Sequence, residues 1–246
     1  VNALDRLTRA RDQGFRAAVM DQNEAKRVAA EAALAILPEH GVIGLGSGST
    51  AKLFIQGVAE LVKAGRQLIG VPTSEESRLL AERLGIPLLA EAGPWPVDVC
   101  VDGADEVSPE LDLIKGGGGY LTREKVVNYA SRLNVIIVDE SKLVPALGTR
   151  WAVPVEVLGF GRHGTAARLA KLGEPKLRLT PTGEPFRTDT GGCIFDVKAG
   201  TITDSRALDT ALRAIPGVVE TGLFLGRADI VLVAGPGGVR RLERPH

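Results

Sequence analysis

Asp102, Asp105 and Glu106 place three carboxylates within the five-residue stretch DGADE, directly after the expected strand 97–101. Carboxylates aligned in a cleft can relay protons or hold sugar hydroxyls, and oxygen ligands of this kind can also hold a divalent cation. An Asp-Gly turn with solvated acids accounts for the same residues. Thirteen positions after Asp102, Lys115 opens a run of four glycines, Gly116, Gly117, Gly118 and Gly119. Such a run is costly in conformational entropy, so it points to backbone lying close to something bulky. A lysine at its mouth can stabilise an oxyanion. Glu124 follows Thr122, which suits a helix N-cap, and so falls in a first helical turn. There the dipole lowers a carboxylate pKa, whereas a base that removes a carbon-bound proton benefits from a raised one. Burial or the nearby aspartates must outweigh the dipole if Glu124 is to act as such a base.

A second kind of site is built from small residues. Gly44 to Thr50 reads GLGSGST, between an apolar run and an amphipathic one. Its glycines permit a tight turn, and the free N–H groups of a helix start attract an anion. Ser47, Ser49 and Thr50 add hydroxyls beside Gly48. The segment lacks the third glycine of a dinucleotide fingerprint and the Gly-Lys-Ser/Thr of a nucleotide P-loop, so it favours a single phosphate. A capped turn whose serines satisfy backbone groups is the plainer alternative. Lys26 is expected in the first turn of its helix, where a cation opposes the dipole unless an anion sits nearby.

The elements that must position these residues follow from periodicity. Ala25, Val28, Ala29, Ala32, Ala33, Ile36 and Leu37 recur at helical spacing, and Pro38 and Gly41 end that helix. The pattern predicts strands over 42–45, 67–71, 86–89, 97–101 and 134–138, and helices after the GSGST segment and over 74–84 and 122–133. Short apolar strands alternating with helices indicate a mostly parallel, Rossmann-like sheet covered on both faces. Ligands of such sheets sit beyond the strands' carboxyl ends. The clusters 47–50, 102–106 and 139–142 each follow a strand and should converge there. Beyond Leu147 the rhythm changes. Strands at 153–158, 176–179, 193–197 and 218–225, with helices at 165–172 and 206–215, give the β-α-β-β-α-β order of a ferredoxin-like α+β unit. One more strand, 228–234, rejoins the first sheet. The expected division is residues 20–150 plus 226–246 for the α/β domain and 151–225 for the smaller one.

The 30 basic residues balance 30 acidic ones, so no overall field draws the chain to nucleic acid or to an anionic membrane. Any anion must be caught locally. Cys100 and Cys193 form no CxxC pattern, which fits a reducing, cytoplasmic setting. His40, His163 and His246 are scattered and give no metal site. No run approaches a membrane span, and residues 1–19 do not read as a secretory signal. Met20 is expected to be the natural start, with residues 1–19 an N-terminal extension; a short amphipathic helix is the alternative.

Together, GLGSGST, VDGADEV, LIKGGGGYLTREK, VDESK and PVEVLGFG, in that order, resemble the type A ribose-5-phosphate isomerases. The likeness runs from about residue 24 to the C-terminal end and includes AIPGVVETGLF. It implies an aldose–ketose isomerase of the non-oxidative pentose phosphate branch, acting through an enediol without a cofactor or metal. By the same resemblance Glu124 matches the proton-shuttling base. Asp102 and Asp105 match acids working on the sugar oxygens, and Lys115 matches the lysine beside the enediolate. Ser47, Gly48, Ser49, Thr50 and Lys26 match the phosphate site; Gly103, Ala104, Gly116, Gly117, Gly118 and Lys142 match further substrate contacts. Ser47 stands where some members carry threonine, which keeps the hydroxyl. A sugar-phosphate partner and a homodimer or homotetramer are implied as well. Three rivals remain: a non-catalytic sugar-phosphate sensor, a metal-dependent phosphosugar enzyme using Asp102, Asp105 and Glu106, and, as a poorer option, a CoA-transferase-like enzyme on a similar sheet.

Overall fold

The computed structural model describes residues 20–90 and 96–244; the expectations for residues 1–19 and for His246 lie outside them. Helix α1 (Gln22–Leu34) leads into strand β1 (His40–Leu45), helix α2 (Ser49–Lys63), β2 (Gln67–Pro72) and α3 (Glu75–Leu84). Then come β3 (Val97–Asp102), the two-residue strands β4 (Glu106–Val107) and β5 (Leu113–Ile114), α4 (Leu121–Ala130) and β6 (Ser131–Asp139). The second half holds β7 (Val153–Val157), α5 (Arg162–Leu169), β8 (Glu174–Leu177), β9 (Cys193–Lys198) and α6 (Ser205–Arg213). It closes with β10 (Val218–Thr221), β11 (Leu223–Phe224), β12 (Ile230–Gly235) and β13 (Gly238–Glu243).

The main sheet has the order β13-β12-β6-β3-β1-β2, parallel except for the β12–β13 hairpin at its edge. Alternation along its strands sends Ile43, Val99, Val135 and Ile137 to one face, against Ala25, Ala29 and Ala33 of α1 and Phe54, Ile55 and Val58 of α2. The intervening residues Ile136, Val138, Val231 and Val233 meet Val107, Leu113 and Phe224 on the other face, and Cys100 and Val97 meet Val127 of α4. Both faces of the same strands are therefore buried, as a parallel sheet requires. The chain passes from β1 to β2 on one side and then crosses to β3 on the other, so the strand order reverses at β1. A crevice opens at such a switch point beyond the carboxyl ends. The Gly46–Gly48 bend, Asp102 and Asp139 lie at the carboxyl ends of the adjacent strands β1, β3 and β6.

The second sheet, β10-β7-β9-β8, is antiparallel throughout. Its order 4-1-3-2 within that segment is the split βαβ, ferredoxin-like arrangement. A third sheet, β11-β5-β4, takes β4 and β5 from between β3 and β6 of the main sheet and β11 from between β10 and β12.

Several boundaries differ from the sequence reading. Residues 131–133 continue into β6 rather than α4. The Ser131 hydroxyl donates to the Val127 carbonyl at 2.6 Å, and Leu133 pairs with Val99, so sheet pairing overrides helical spacing. The expected strand 218–225 breaks at Gly222, whose N–H donates to the Pro154 carbonyl while its own carbonyl accepts from Lys115 N–H. A Cβ there would lie 2.7 Å from Pro154 Cδ, so the crossing between sheets needs glycine. Residues 86–89 form only a bridge between Leu88 and Gly70. Strand β8 and helix α5 begin two or three residues early, and β13, exposed along much of its length, was not read as a strand.

Gly46 crosses β3 so closely that a Cβ would fall 2.5 Å from the Val101 carbonyl and 2.6 Å from Asp102 Cα. Backbone cannot move aside as a side-chain tip can. Gly46→Ala is expected to lower stability by about 1–3 kcal/mol in urea denaturation; an unchanged midpoint would contradict this packing.

Candidate functional site

One end of the site is a helix start. Gly48, at φ +92°, is the N-cap of α2, and no side chain caps it. The N–H groups of Gly48, Ser49, Thr50 and Ala51 have no intrahelical acceptor, and Lys52 N–H is the first to bond back, to Gly48 O. With no acid in that turn, the positive end of the dipole faces outward unneutralised. Ser47 serves the loop rather than its outer surface. Its hydroxyl lies 2.7 Å from Thr73 Oγ1 and donates to Ser74 Oγ at 2.7 Å, while its N–H donates to Asp102 Oδ1 at 3.0 Å. Ser77 adds a hydroxyl bond of 2.6 Å to the Gly46 carbonyl. Thr73, Ser74 and Ser77 are buried and escaped the sequence reading. Their signal was the polar cluster directly after β2, at the same edge of the sheet as the bend. Lys26 also lines this end, but it sits just beyond the first turn of α1, so the dipole opposes it less than the sequence implied.

The other end is a buried charge cluster. Lys115 Nζ donates to the Gly103 carbonyl at 2.7 Å and lies 3.0 Å from Asp102 Oδ2 and 3.3 Å from Glu124 Oε2. All three side chains are buried. Asp102 is fixed through Oδ1, which accepts from the N–H groups of Ser47 and Gly103. Asp102 Oδ2 and Glu124 Oε2 are enclosed and, apart from the Lys115 ammonium, have no polar partner among the described residues.

One ammonium faces two carboxylates, so the cluster carries a surplus negative charge out of water. Burial pushes Glu124 up; Lys115 pulls it down, Asp102 and Asp105 push it up again, and the outcome is a carboxyl raised to about 8. Burial and neighbouring acids therefore outweigh the dipole at the head of α4. Burial alone would lower the Lys115 ammonium, but Asp102 and then Glu124 reverse this and hold it charged. The sequence placed Thr122 at the N-cap. Tyr120 holds that position instead, and Thr122 inside the helix donates its hydroxyl to Glu156.

The glycine run wraps the cluster. Gly116 and Gly119 have φ of +102° and +92°. The Gly117 N–H donates to Asp105 Oδ2 at 2.7 Å, and a Cβ on Gly117 would fall on that carboxylate. Both ends share one cavity of about 190 Å³. Lys26, Ser47, Gly48, Ser49, Thr50, Gly103, Ala104, Asp105, Lys115, Gly116, Gly117, Gly118, Glu124 and Lys142 all border it, as do Tyr120 and Asp139; Asp102 does not, being buried against Lys115. Glu106 does not join them. It is fully buried and accepts the N–H groups of Gly148, Arg150 and Trp151 at 2.6–2.8 Å, so Asp102, Asp105 and Glu106 do not form a cation site. Such a cavity suits a small molecule with an anionic tail at the α2 end and a proton to be moved at the Glu124 end.

The chain matches the family ribose 5-phosphate isomerase A (phosphoriboisomerase A) over residues 69–238. It is 50% identical over 220 residues to ribose-5-phosphate isomerase A of Chloroflexus aurantiacus, covering 88% of this chain and 92% of that protein. It is 47% identical over 232 residues to that of Rhodopseudomonas palustris, covering 92% and 100%. Among solved structures, ribose 5-phosphate isomerase A of Methanocaldococcus jannaschii superposes with a TM-score of 0.86 at 40% identity, over 91% of this chain and 100% of that one. A D-ribose-5-phosphate isomerase in complex with phospho-erythronic acid superposes with a TM-score of 0.88 at 40% identity, over 92% and 100%.

The raised Glu124 carboxyl makes stability depend on pH. Unfolded, the group titrates near its usual 4.5; folded, near 8. Its contribution is therefore fully present below pH 4.5 and is lost as pH rises through 8. Glu124→Gln removes this loss. The variant is expected to melt close to the wild type near pH 4.5 and above it at pH 8 and beyond. A melting difference that stays constant across that range would contradict the raised carboxyl.

Proposed function

The chain belongs to the ribose 5-phosphate isomerase A family, and from that premise we propose that it interconverts D-ribose 5-phosphate and D-ribulose 5-phosphate with Glu124 as the proton-transferring base. One observation carries the assignment of Glu124: a buried carboxylate beside a lysine shares a cavity with an uncapped helix start. The phosphate takes the N–H groups of Gly48, Ser49 and Thr50, with Lys26 adding charge; this remote grip orients the reacting end. Glu124 takes the C2 proton of the open-chain aldose, the electron pair moves onto O1, and the same proton returns to C1. The O2 proton leaves and O1 gains one, an exchange assigned to Asp105 at the cavity wall, with Asp102 acting from behind it through the Lys115 ammonium. Lys115 holds the negative charge that develops on the enediolate, where a fixed cation in a dry site is most effective. A carboxylate raised toward neutrality is a stronger base for a carbon acid than an ordinary glutamate. Gly103, Ala104, Gly116, Gly117, Gly118 and Lys142 contact the sugar.

The reading extends to the non-oxidative pentose phosphate branch and a cytoplasmic setting. No described helix is long and apolar enough to cross a membrane. It extends also to a homodimer or homotetramer: α4 and β10 leave Val126, Tyr129 and Val219 exposed, apolar surface available for a second copy to cover.

Glu124→Gln is expected to keep the fold and lose about 100-fold to 10,000-fold in kcat, measured as ribulose 5-phosphate formed from ribose 5-phosphate with a chelator present. Near wild-type turnover would remove Glu124 from the role of base. In the wild type kcat/KM should rise with pH as the free enzyme's base deprotonates, with an apparent pKa well above the ordinary glutamate range. A profile flat from pH 6 to 9 would contradict that assignment.

A further inference from the structure

Arg178 follows β8 in the second sheet and reaches across to the glycine run. Its Nη1 donates to the carbonyls of both Gly116, at 2.8 Å, and Gly117, at 3.1 Å. The rest of the guanidinium is engaged by Asp196 of β9, with Nε donating to Oδ2 at 3.0 Å and Nη2 donating to Oδ1. The pair is mostly buried, Arg178 being 15% exposed. Phe186, whose N–H donates to the Arg178 carbonyl, lies against Gly119, where a Cβ would fall 2.5 Å from the ring. The outer surface of the loop is thus gripped by one forked cation and one ring.

A trans peptide points its carbonyl and the following N–H in opposite directions. With the Gly116 carbonyl turned to Arg178, the Gly117 N–H points the other way, and it indeed meets Asp105 Oδ2. The same geometry applied to the next peptide turns the Gly118 N–H toward the cavity that Gly118 lines. That N–H has no acceptor among the described residues. We infer that Arg178, braced by Asp196, is a positioning residue for the isomerisation: it fixes two successive peptides so that the Gly117 N–H holds Asp105 and the Gly118 N–H faces the side on which enediolate charge develops. The guanidinium also withdraws charge from both carbonyls, which strengthens the opposed N–H groups as donors. Arg178 is absent from the cavity lining and acts only through the loop. This inference rests on the isomerase reading above.

A misplacement of about 1 Å can cost on the order of 100-fold in rate. Arg178→Ala in the full chain is therefore expected to lower kcat about 10- to 100-fold while KM, set largely at the phosphate end, changes little. Asp196→Asn, which loosens the brace but keeps the guanidinium, should lower kcat in the same direction by less. Phospho-erythronic acid, whose carboxylate stands in for the enediolate oxygens, should inhibit Arg178→Ala more weakly in step with kcat. Inhibition by inorganic phosphate should stay as in the wild type. Unchanged kcat in folded Arg178→Ala would overturn the inference. So would equal weakening of phosphate and phospho-erythronic acid, which marks general collapse of the site. If Arg178→Ala does not fold, Asp196→Asn decides: a kcat equal to wild type sinks the positioning role. Wild-type protein that fails to convert ribose 5-phosphate would instead remove the isomerase reading, before any variant is compared.

Discussion

One ammonium shared between two buried carboxylates is the constraint around which the other parts are arranged. Asp102 and Glu124 both border Lys115, and neither is exposed. Left alone, such a cluster would rearrange or take up water, because holding each of these charges out of water is costly. The surrounding backbone prevents rearrangement. Lys115 is held through its Nζ by the Gly103 carbonyl and through its N–H by the Gly222 carbonyl. Asp102 is held by two N–H groups through one oxygen. Glu124 accepts no such backbone bond among the described residues, and burial, with Asp102 and Asp105 nearby, raises its carboxyl against the pull of Lys115.

The cluster needs α4 fixed in orientation, and the residues flanking Glu124 along that helix do this from the second sheet. Lys125 Nζ donates to the carbonyls of Thr221 and Leu223 at 2.6 and 2.8 Å and pairs with Glu220 at 2.9 Å. It also sits 4.6 Å from the centre of the Phe224 ring. Thr122 donates to Glu156, which is fully buried and also accepts from Thr188 and Thr190. The main sheet supplies the anion end and Asp102, whereas the second sheet anchors the helix that bears Glu124. At Gly222 the chain passes from the second sheet to the short third one, and its carbonyl accepts from the Lys115 N–H.

Residues that touch the cavity were legible in the sequence because they fall in short motifs at the carboxyl ends of apolar strands. The GSGST bend, DGAD and the lysine before four glycines needed only strand order to be brought together. What holds those residues was less legible. Ser47 reads as a ligand donor, yet its hydroxyl is bound by Thr73 and Ser74, residues 26 and 27 positions away. Glu106 reads as a third acid of the cluster, yet it turns to the 148–151 loop. Lys125 and Glu156 fall inside the quoted segments LIKGGGGYLTREK and PVEVLGFG, but their anchoring role was not legible, because a buried charge looks like any surface charge until the fold encloses it. Strands of two residues and an exposed edge strand gave no periodicity to read, and the start of β6 at Ser131 depends on partners in β3 that local spacing does not contain.

The balance of 30 acidic and 30 basic residues sharpens the electrostatic problem at the cavity. No net field concentrates an anion there, and the acid cluster at one end would repel it. Capture must come from short-range donors at the other end, which is where α2 leaves its first N–H groups uncapped and Lys26 and Lys142 border the opening. Hydrogen bonds of this kind are directional and local, so they can hold an anion close to a carboxylate-rich cluster that a diffuse positive patch would instead neutralise. Separating the two ends by strand order, with β1 carrying the donors and β3 the acid, keeps the Glu124 carboxyl raised while the anion is gripped. A chain with the same residues but a strongly basic surface would bind the anion more readily and would lower that carboxyl in doing so.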